Sequence, residues 1–189
     1  MTSQEFTYDL KIPRERVAVL IGKKGTIKNE IENSTGTKIK VDSKEGDVFI
    51  SGEDALKLFN AREMVRAIGR GFNPEIAKML LKPDYALDIM NIEDFVKTKN
   101  DMKSMKGRII GTDGKARRTV EFLTECYISI YGKTVAIIGA VENVTLARKA
   151  VDGLLRGAPH GNIYKWLEKR KKEISSKEML GDEKVGENK

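Results

Sequence analysis

The sequence predicts an α+β chain in which one strand, helix, helix, strand, strand, helix unit occurs twice, and three observations carry that reading. Laid over itself so that Gly22 meets Gly111, the chain aligns Leu20-Ile21-Gly22-Lys23-Lys24-Gly25 with Ile109-Ile110-Gly111-Thr112-Asp113-Gly114. The same offset brings Ile31 onto Val120, Thr35 onto Thr124, and Ile39 and Val41 onto Ile128 and Ile130; with small shifts, Val48 to Gly52 and Ala61 to Gly71 find partners in Val135 to Gly139 and Ala147 to Gly157. Within each copy, period-two alternation gives way to helical spacing and back. Finally, 189 residues with 40% hydrophobic content suffice for two packed cores and exclude fibrous or largely disordered chains.

The elements follow in order. Phe6, Tyr8, Leu10 and Ile12 alternate with Thr7, Asp9 and Lys11, the period of a half-buried strand, and Pro13 ends it. A helix from Arg14 to Leu20 breaks at Gly22-Lys23-Lys24-Gly25, and a second runs from Thr26 to Ser34 until Thr35-Gly36 punctuates it. Strands at Lys38 to Asp42 and Val48 to Ser51 flank a run of turn residues. A long amphipathic helix from Glu53 to Ile68 closes the copy. The second copy reads as strand Tyr85 to Asn91, helix Asp101 to Ile110, loop Gly111 to Gly114, helix Lys115 to Leu123, strands Cys126 to Tyr131 and Thr134 to Ile138, and helix Val141 to Leu155. An insertion at Glu93 to Asn100 distinguishes it. The copies therefore occupy 1–70 and 85–157, a short helical spacer 71–84, a helix 158–174 bearing Ile163, Trp166 and Leu167, and a flexible charged tail 175–189.

Charge and composition narrow the function classes. Thirty-five Lys and Arg against 28 Asp and Glu leave a net +7, which points first to a polyanionic partner. One cysteine and one histidine provide neither an internal disulfide nor a zinc site, and no cofactor or catalytic pattern stands out. The N-terminus lacks a signal-peptide pattern and no apolar run is long enough for a membrane span, so the expected setting is reducing and cytoplasmic. Aromatics are only 6% of the chain, too few for broad stacking platforms.

A Gly-x-x-Gly between two helices lets a ligand backbone come close and turns the free amides of the second helix outward, an arrangement suited to phosphate. In the first copy this cradle comprises Gly22, Lys23, Lys24 and Gly25 with Lys28 one turn on. Its groove is expected to be lined by Ile21, Ile27 and Ile39. In the second it comprises Ile110, Gly111, Thr112 and Gly114, with charge from Arg108, Lys115, Arg117 and Arg118. Such grooves favour unpaired bases over a duplex.

With those residues in place, the pattern Ile-Gly-x-x-Gly, helix, Thr-Gly, strand, strand, helix resembles the KH domain in its eukaryotic-type βααββα topology, present twice. The resemblance implies a three-stranded antiparallel sheet backed by helices in each copy. The segments Ala67 to Glu75 and Gly157 to His160 are similar to those following the KH copies in the archaeal partner-of-Nob family, a likeness reaching to about Glu173. That implies a non-catalytic protein of small ribosomal subunit assembly, monomeric. It implies binding of single-stranded RNA near the 3′ end of small-subunit rRNA, with a Nob-type endonuclease and pre-ribosomal particle proteins as partners. A protein-interaction scaffold, or a general single-stranded RNA or mRNA binder using only the first groove, is the alternative.

Three departures from the common pattern bear on the geometry. Lys28 and Arg117 stand where an Ile is usual, with Ile27 and Ala116 one place earlier, which predicts a rotated helix or a more polar groove. Asp113 is expected to repel phosphate while capping the following helix, and Glu125 replaces the turn glycine found at Gly36. Lys169 to Lys172 reads as a solvated helix end, Trp166 as a docking residue and His160 as a helix-start residue.

Overall fold

The computed structural model describes residues 5–96 and 98–183. Strands β1 (Phe6–Lys11), β2 (Lys38–Val41) and β3 (Asp47–Gly52) form an antiparallel sheet in the order β1-β3-β2, with Tyr8 and Ile39 both opposite Ile50. Helices α1 (Arg14–Ile21), α2 (Thr26–Thr35) and α3 (Ala55–Gly69) cover one face, burying Leu20, Ile31, Leu58, Met64 and Ile68 against Val48 and Ile50. Asp54 fixes the start of α3, its carboxylate accepting the amides of Leu56 and Lys57 at 2.9 and 3.1 Å.

After α4 (Pro74–Ala77) and a tight turn through Leu81, the second copy repeats the plan. Strands β4 (Tyr85–Asn91), β5 (Tyr127–Tyr131) and β6 (Thr134–Ala140) lie in the order β4-β6-β5 beneath α5 (Lys99–Ile110), α6 (Lys115–Thr124) and α7 (Val141–Leu155). The Thr-Gly turn survives the loss of its glycine: Glu125 adopts the left-handed conformation at φ 55°, matching Gly36 at 62°. The insertion forms a 3₁₀ turn, Ile92–Phe95, whose Ile92 is fully buried and whose Phe95 packs on the second core.

Among the boundaries that differ from the sequence reading, two have a clear physical cause. Helix α5 begins at Lys99 rather than Asp101, because Thr98 and Asp101 cap it reciprocally, each side chain taking the other's amide at 3.1 Å. Helix α8 (His160–Glu183) continues through much of the segment read as a flexible tail. Leu167 is buried and Ile163, Tyr164 and Trp166 pack on the second core, which anchors the helix. Beyond them the residues up to Leu180 include neither Gly nor Pro, so propagation is favoured. The rest of that segment, 184–189, lies outside the described residues.

The two sheets differ on their outer faces. In the first, Thr7, Asp9, Lys38, Lys40 and Phe49 face solvent. In the second, β6 is buried on both sides: Val135 and Ile137 face their own helices, whereas Ala136 and Ile138 join the first copy's core, alongside Phe72 and Leu80. Polar contacts fasten this seam. The Ser129 hydroxyl donates to Arg70 O at 2.8 Å, the Tyr131 hydroxyl to Glu15 Oε1 at 2.5 Å, and the Arg16 guanidinium lies 5.8 Å from the Tyr131 ring centre.

Candidate nucleic-acid interface

Helix α1 stops where Gly22 turns to φ 71°, ψ 176°, and Gly111 ends α5 at 71°, 175°. A Cβ on Gly22 would stand 2.5 Å from Ile27 Cγ1, and one on Gly111 2.6 Å from Ala116 Cβ, so the position tolerates neither the dihedral nor the volume of another residue. The chain then passes through left-handed residues, Lys24 and Gly25 in one copy and Asp113 and Gly114 in the other, closed by amides of Gly25 and Gly114 donating to Gly22 O and Gly111 O at 3.2 Å. The Thr26 and Lys115 amides donate to Lys23 O and Thr112 O within the loops, and no side chain caps α2 or α6, so the later first-turn amides are left for an anion. Lys23, Lys24, Lys115 and Arg118 are exposed around these openings, and the Arg118 guanidinium lies against Gly114. Asp113 caps nothing. It sits within the loop at φ 51°, one residue before the N-cap Gly114, and makes no capping hydrogen bond to α6.

The departure at Lys28 and Arg117 resolves as a more polar groove. Ile27 and Ala116 lie directly under the loop glycines, so the residues after them face the edge strand. Lys28 Nζ pairs with Glu32 Oε2 at 2.8 Å and reaches Ile39 O at 3.4 Å, while Glu32 Oε1 accepts the Ile39 amide at 2.6 Å. The second copy repeats this: Arg117 Nε lies 3.6 Å from Glu121 Oε2, and Glu121 Oε1 accepts the Ile128 amide at 2.7 Å. An acid thus pins the outer edge of each sheet, and a cation stands beside it. Edge strands offer unpaired amides and carbonyls, so the groove wall here is backbone and ion pair. Ile21 and Ile27 are half-buried beside the loop, but Ile39 departs from its expected role: its side chain points into the core at 3% exposure, and only its backbone meets the groove.

Arg108 also departs from the expected set. Its Nε donates to Leu154 O at 3.1 Å and its Nη2 to Ala158 O at 2.7 Å, closing the end of α7 and the turn beyond it. Arg16 does the same in the first copy, donating to Ile68 O at 2.7 Å and Phe72 O at 2.6 Å. These guanidiniums satisfy orphan carbonyls at helix C-termini, so Arg108 is engaged within the fold rather than offered to a ligand. Its carbonyl meets His160 Nε2 at 2.8 Å, seating the start of α8. Glu32 and Glu121 were the residues to add. Both stand four positions after the Lys28 and Arg117 pair in register, a signal the repeat already contained.

Among the described residues no group of His, Cys, Asp and Glu is placed to hold a metal, and no helix is long and apolar enough to cross a membrane.

Comparison with known proteins places this geometry. The KH-domain family description matches residues 7–67, and the eukaryotic-type (type I) KH domain described from the second copy of Pno1 matches 86–172. A KH domain-containing protein of Methanocaldococcus jannaschii is 49% identical over 169 residues, covering 87% of this chain and 74% of that protein. The RNA-binding protein pno1 of Dictyostelium discoideum is 29% identical, covering 86% and 71%. Among solved structures, Dim2p of Pyrococcus horikoshii superposes with a TM-score of 0.82 at 45% identity over 87% of this chain and 99% of that one. The same protein in a complex with a/eIF2alpha and rRNA gives 0.85, also at 45% identity, over 89% and 96%. With two copies of the type I fold, matched Gly-x-x-Gly loops and these relatives along most of its length, the chain belongs to the partner-of-Nob (Pno1/Dim2) family of two-KH-domain proteins.

Proposed function

We propose that this protein binds single-stranded RNA of the small ribosomal subunit near the 3′ end of its rRNA, and that it assists a Nob-type endonuclease there without catalysing a step itself. The observation that carries the reading is the pair of uncapped, left-handed Gly-x-x-Gly cradles, each facing an edge strand and flanked by exposed Lys or Arg. Each cradle is expected to hold the backbone of about four nucleotides through amides and cations, while the bases lie against the groove. Ile21, Gly22, Lys23, Lys24, Gly25, Ile27 and Lys28 do this in the first copy. Ile110, Gly111, Thr112, Gly114, Lys115, Arg117 and Arg118 do it in the second. The first loop carries two lysines where the second carries Asp113, so it makes the larger electrostatic contribution. Relatives named for rRNA and Pno1 support the choice of ribosomal RNA.

Crosslinking of bound RNA in cells, with mapping of the recovered reads, tests the assignment. Reads concentrated at the 3′ end of small-subunit rRNA are expected; reads spread over messenger RNA overturn the assignment. Loss of the nuclease from pulldowns of an Arg117→Asp, Arg118→Asp variant with intact RNA affinity would instead make the second copy a protein-docking module.

A further inference from the structure

A cleft of about 530 Å³ opens between β1 and α3, beside Pro13 and Arg14 and thus at the opposite end of α1 from Gly22. Arg62, Arg66 and Arg70 form one wall; Lys11, Arg14, Asp9 and Glu45 stand around the rim. The three arginines follow each other by single helical turns, roughly 6 Å apart along the axis. Arg62 and Arg66 are only 33% and 36% exposed, so they are held against the helix and do not sweep solvent freely.

Counter-charges are too few to neutralise this wall. Glu63 alone serves two guanidiniums, Arg66 at 2.7 Å and Arg62 at 3.4 Å. Arg62 also lies 5.0 Å from the centre of the Tyr8 ring, and Arg70 makes no ion pair among the described residues. At the rim, Glu45 meets Arg14 at 3.1 Å and Lys11 at 4.0 Å, and Lys11 also reaches Asp47 at 3.4 Å.

The duplication supplies an internal control. Positions Arg62, Arg66 and Arg70 correspond to Arg148, Asp152 and Arg156 on α7. There Arg148 pairs with Asp88 at 2.5 Å and Arg156 with Asp152 at 2.7 Å, so each guanidinium has its own carboxylate; Lys149, at the position of Glu63, is exposed. Tyr8 occupies the strand position of Asp88: Tyr8 is opposite Ile50, and Asp88 is opposite Ile137, its counterpart. One architecture therefore gives each of these guanidiniums its own carboxylate in one copy and leaves three of them to share Glu63 in the other, and folding alone does not demand the unpaired charge.

We infer that this cleft is a second RNA site, which takes the sugar-phosphate backbone of a double-helical segment distinct from the strand in the loop grooves. Guanidinium forks match phosphate oxygens bidentately, and their regular spacing on a rigid helix suits phosphates already ordered by a duplex. A single strand would want stacking faces, but no aromatic residue lines the cleft, and Arg62 already stands over one face of the adjacent Tyr8 ring. An acidic protein segment would want an apolar anchor, whereas Leu10, Ile12 and Pro13 in the floor are half-buried or buried.

The test uses the full chain and two RNAs: a single-stranded octamer, and the same octamer continued into a stable hairpin. Arg66→Gln with Arg70→Gln is expected to weaken binding of the hairpin-bearing RNA about tenfold and to lower its salt slope by about 1.5, with octamer binding unchanged. Tyr8→Asp, which restores the second copy's ion pair, lowers the same slope by about one; it leaves Glu63 its partners and carries the test if the double variant unfolds. Wild-type affinity and slope for the hairpin-bearing RNA in both variants would overturn the inference. So would loss of poly-glutamate binding alone, which would assign the cleft to an acidic protein. The octamer reports on the loops independently, so failure of the loop reading and failure of this one are separable.

Discussion

Replacing Lys23 and Lys24 together by Gln tests the first cradle where its chemistry is most exposed. Both side chains are solvent-facing and neither forms an ion pair among the described residues, so their charge is free for phosphate. Single-stranded binding loses about 0.7 in the slope of log affinity against log salt for each phosphate contact removed, so the double variant should be shallower by about 1.4. Over a rise from about 50 to about 200 mM salt the wild type should then lose roughly sevenfold more affinity than the variant does. Gln leaves the left-handed turn at Lys24 and the amides of α2 in place, so weak binding should persist at low salt. The assay is fluorescence anisotropy of a labelled single-stranded octamer across a salt series, with far-UV circular dichroism to confirm folding. Parallel slopes for the two proteins would refute the first cradle as a phosphate site.

Three further outcomes bear on the fold. Ile138 is fully buried where the second sheet meets the first copy, so Ile138→Ala should cost about 2–4 kcal/mol in urea unfolding; a loss below about 1 kcal/mol would mean that the seam is not packed in solution. Glu125 holds a left-handed conformation and gives up only an exposed ion pair with Lys171, so Glu125→Gly should raise stability by about 0.5–1 kcal/mol, and a loss would contradict that geometry. Burial pushes the Cys126 thiol from 9.0 up to about 11. Because its folded value lies above its unfolded one, the stability it adds is complete below about pH 9 and falls away by roughly 2–3 kcal/mol as pH climbs through 11. Cys126→Ala should flatten that part of the pH profile, and native protein at pH 8 should resist iodoacetamide until denatured.

What was legible in the chain was whatever local pattern or repetition encodes. The duplicated loop, the strand alternation from Phe6 to Ile12 and the apolar spacing of Ile163, Trp166 and Leu167 each declare themselves within a few residues. The rest is tertiary. Arg108 lies near a glycine loop in sequence and looks like a phosphate ligand, yet the carbonyls it serves are about 50 residues away, and only folding brings them near. The burial of Ile39 is likewise hidden, because strand periodicity states which residues share a face, not which face a neighbour covers. The seam between the copies was equally hidden, since the apolar run Val135 to Ile138 is equally compatible with a strand buried on one face and one buried on both. Composition does not decide the course of α8 beyond Ser175, since a charged, apolar-poor segment is also a good continuation for a helix anchored earlier.

The doubly buried β6 has a consequence for how a long RNA is chosen. A separated second copy would expose Ala136 and Ile138, so the two loop grooves are fastened at one separation and orientation and do not swing on a tether. Two sites fixed in this way behave as a caliper. The second engagement becomes intramolecular only for an RNA whose two segments already span the jaws, and every other spacing must strain the RNA or use one jaw alone. Selectivity then arises from distance along the RNA as well as from its bases, and a mutation that loosened the seam would erode it without touching a single residue of either loop.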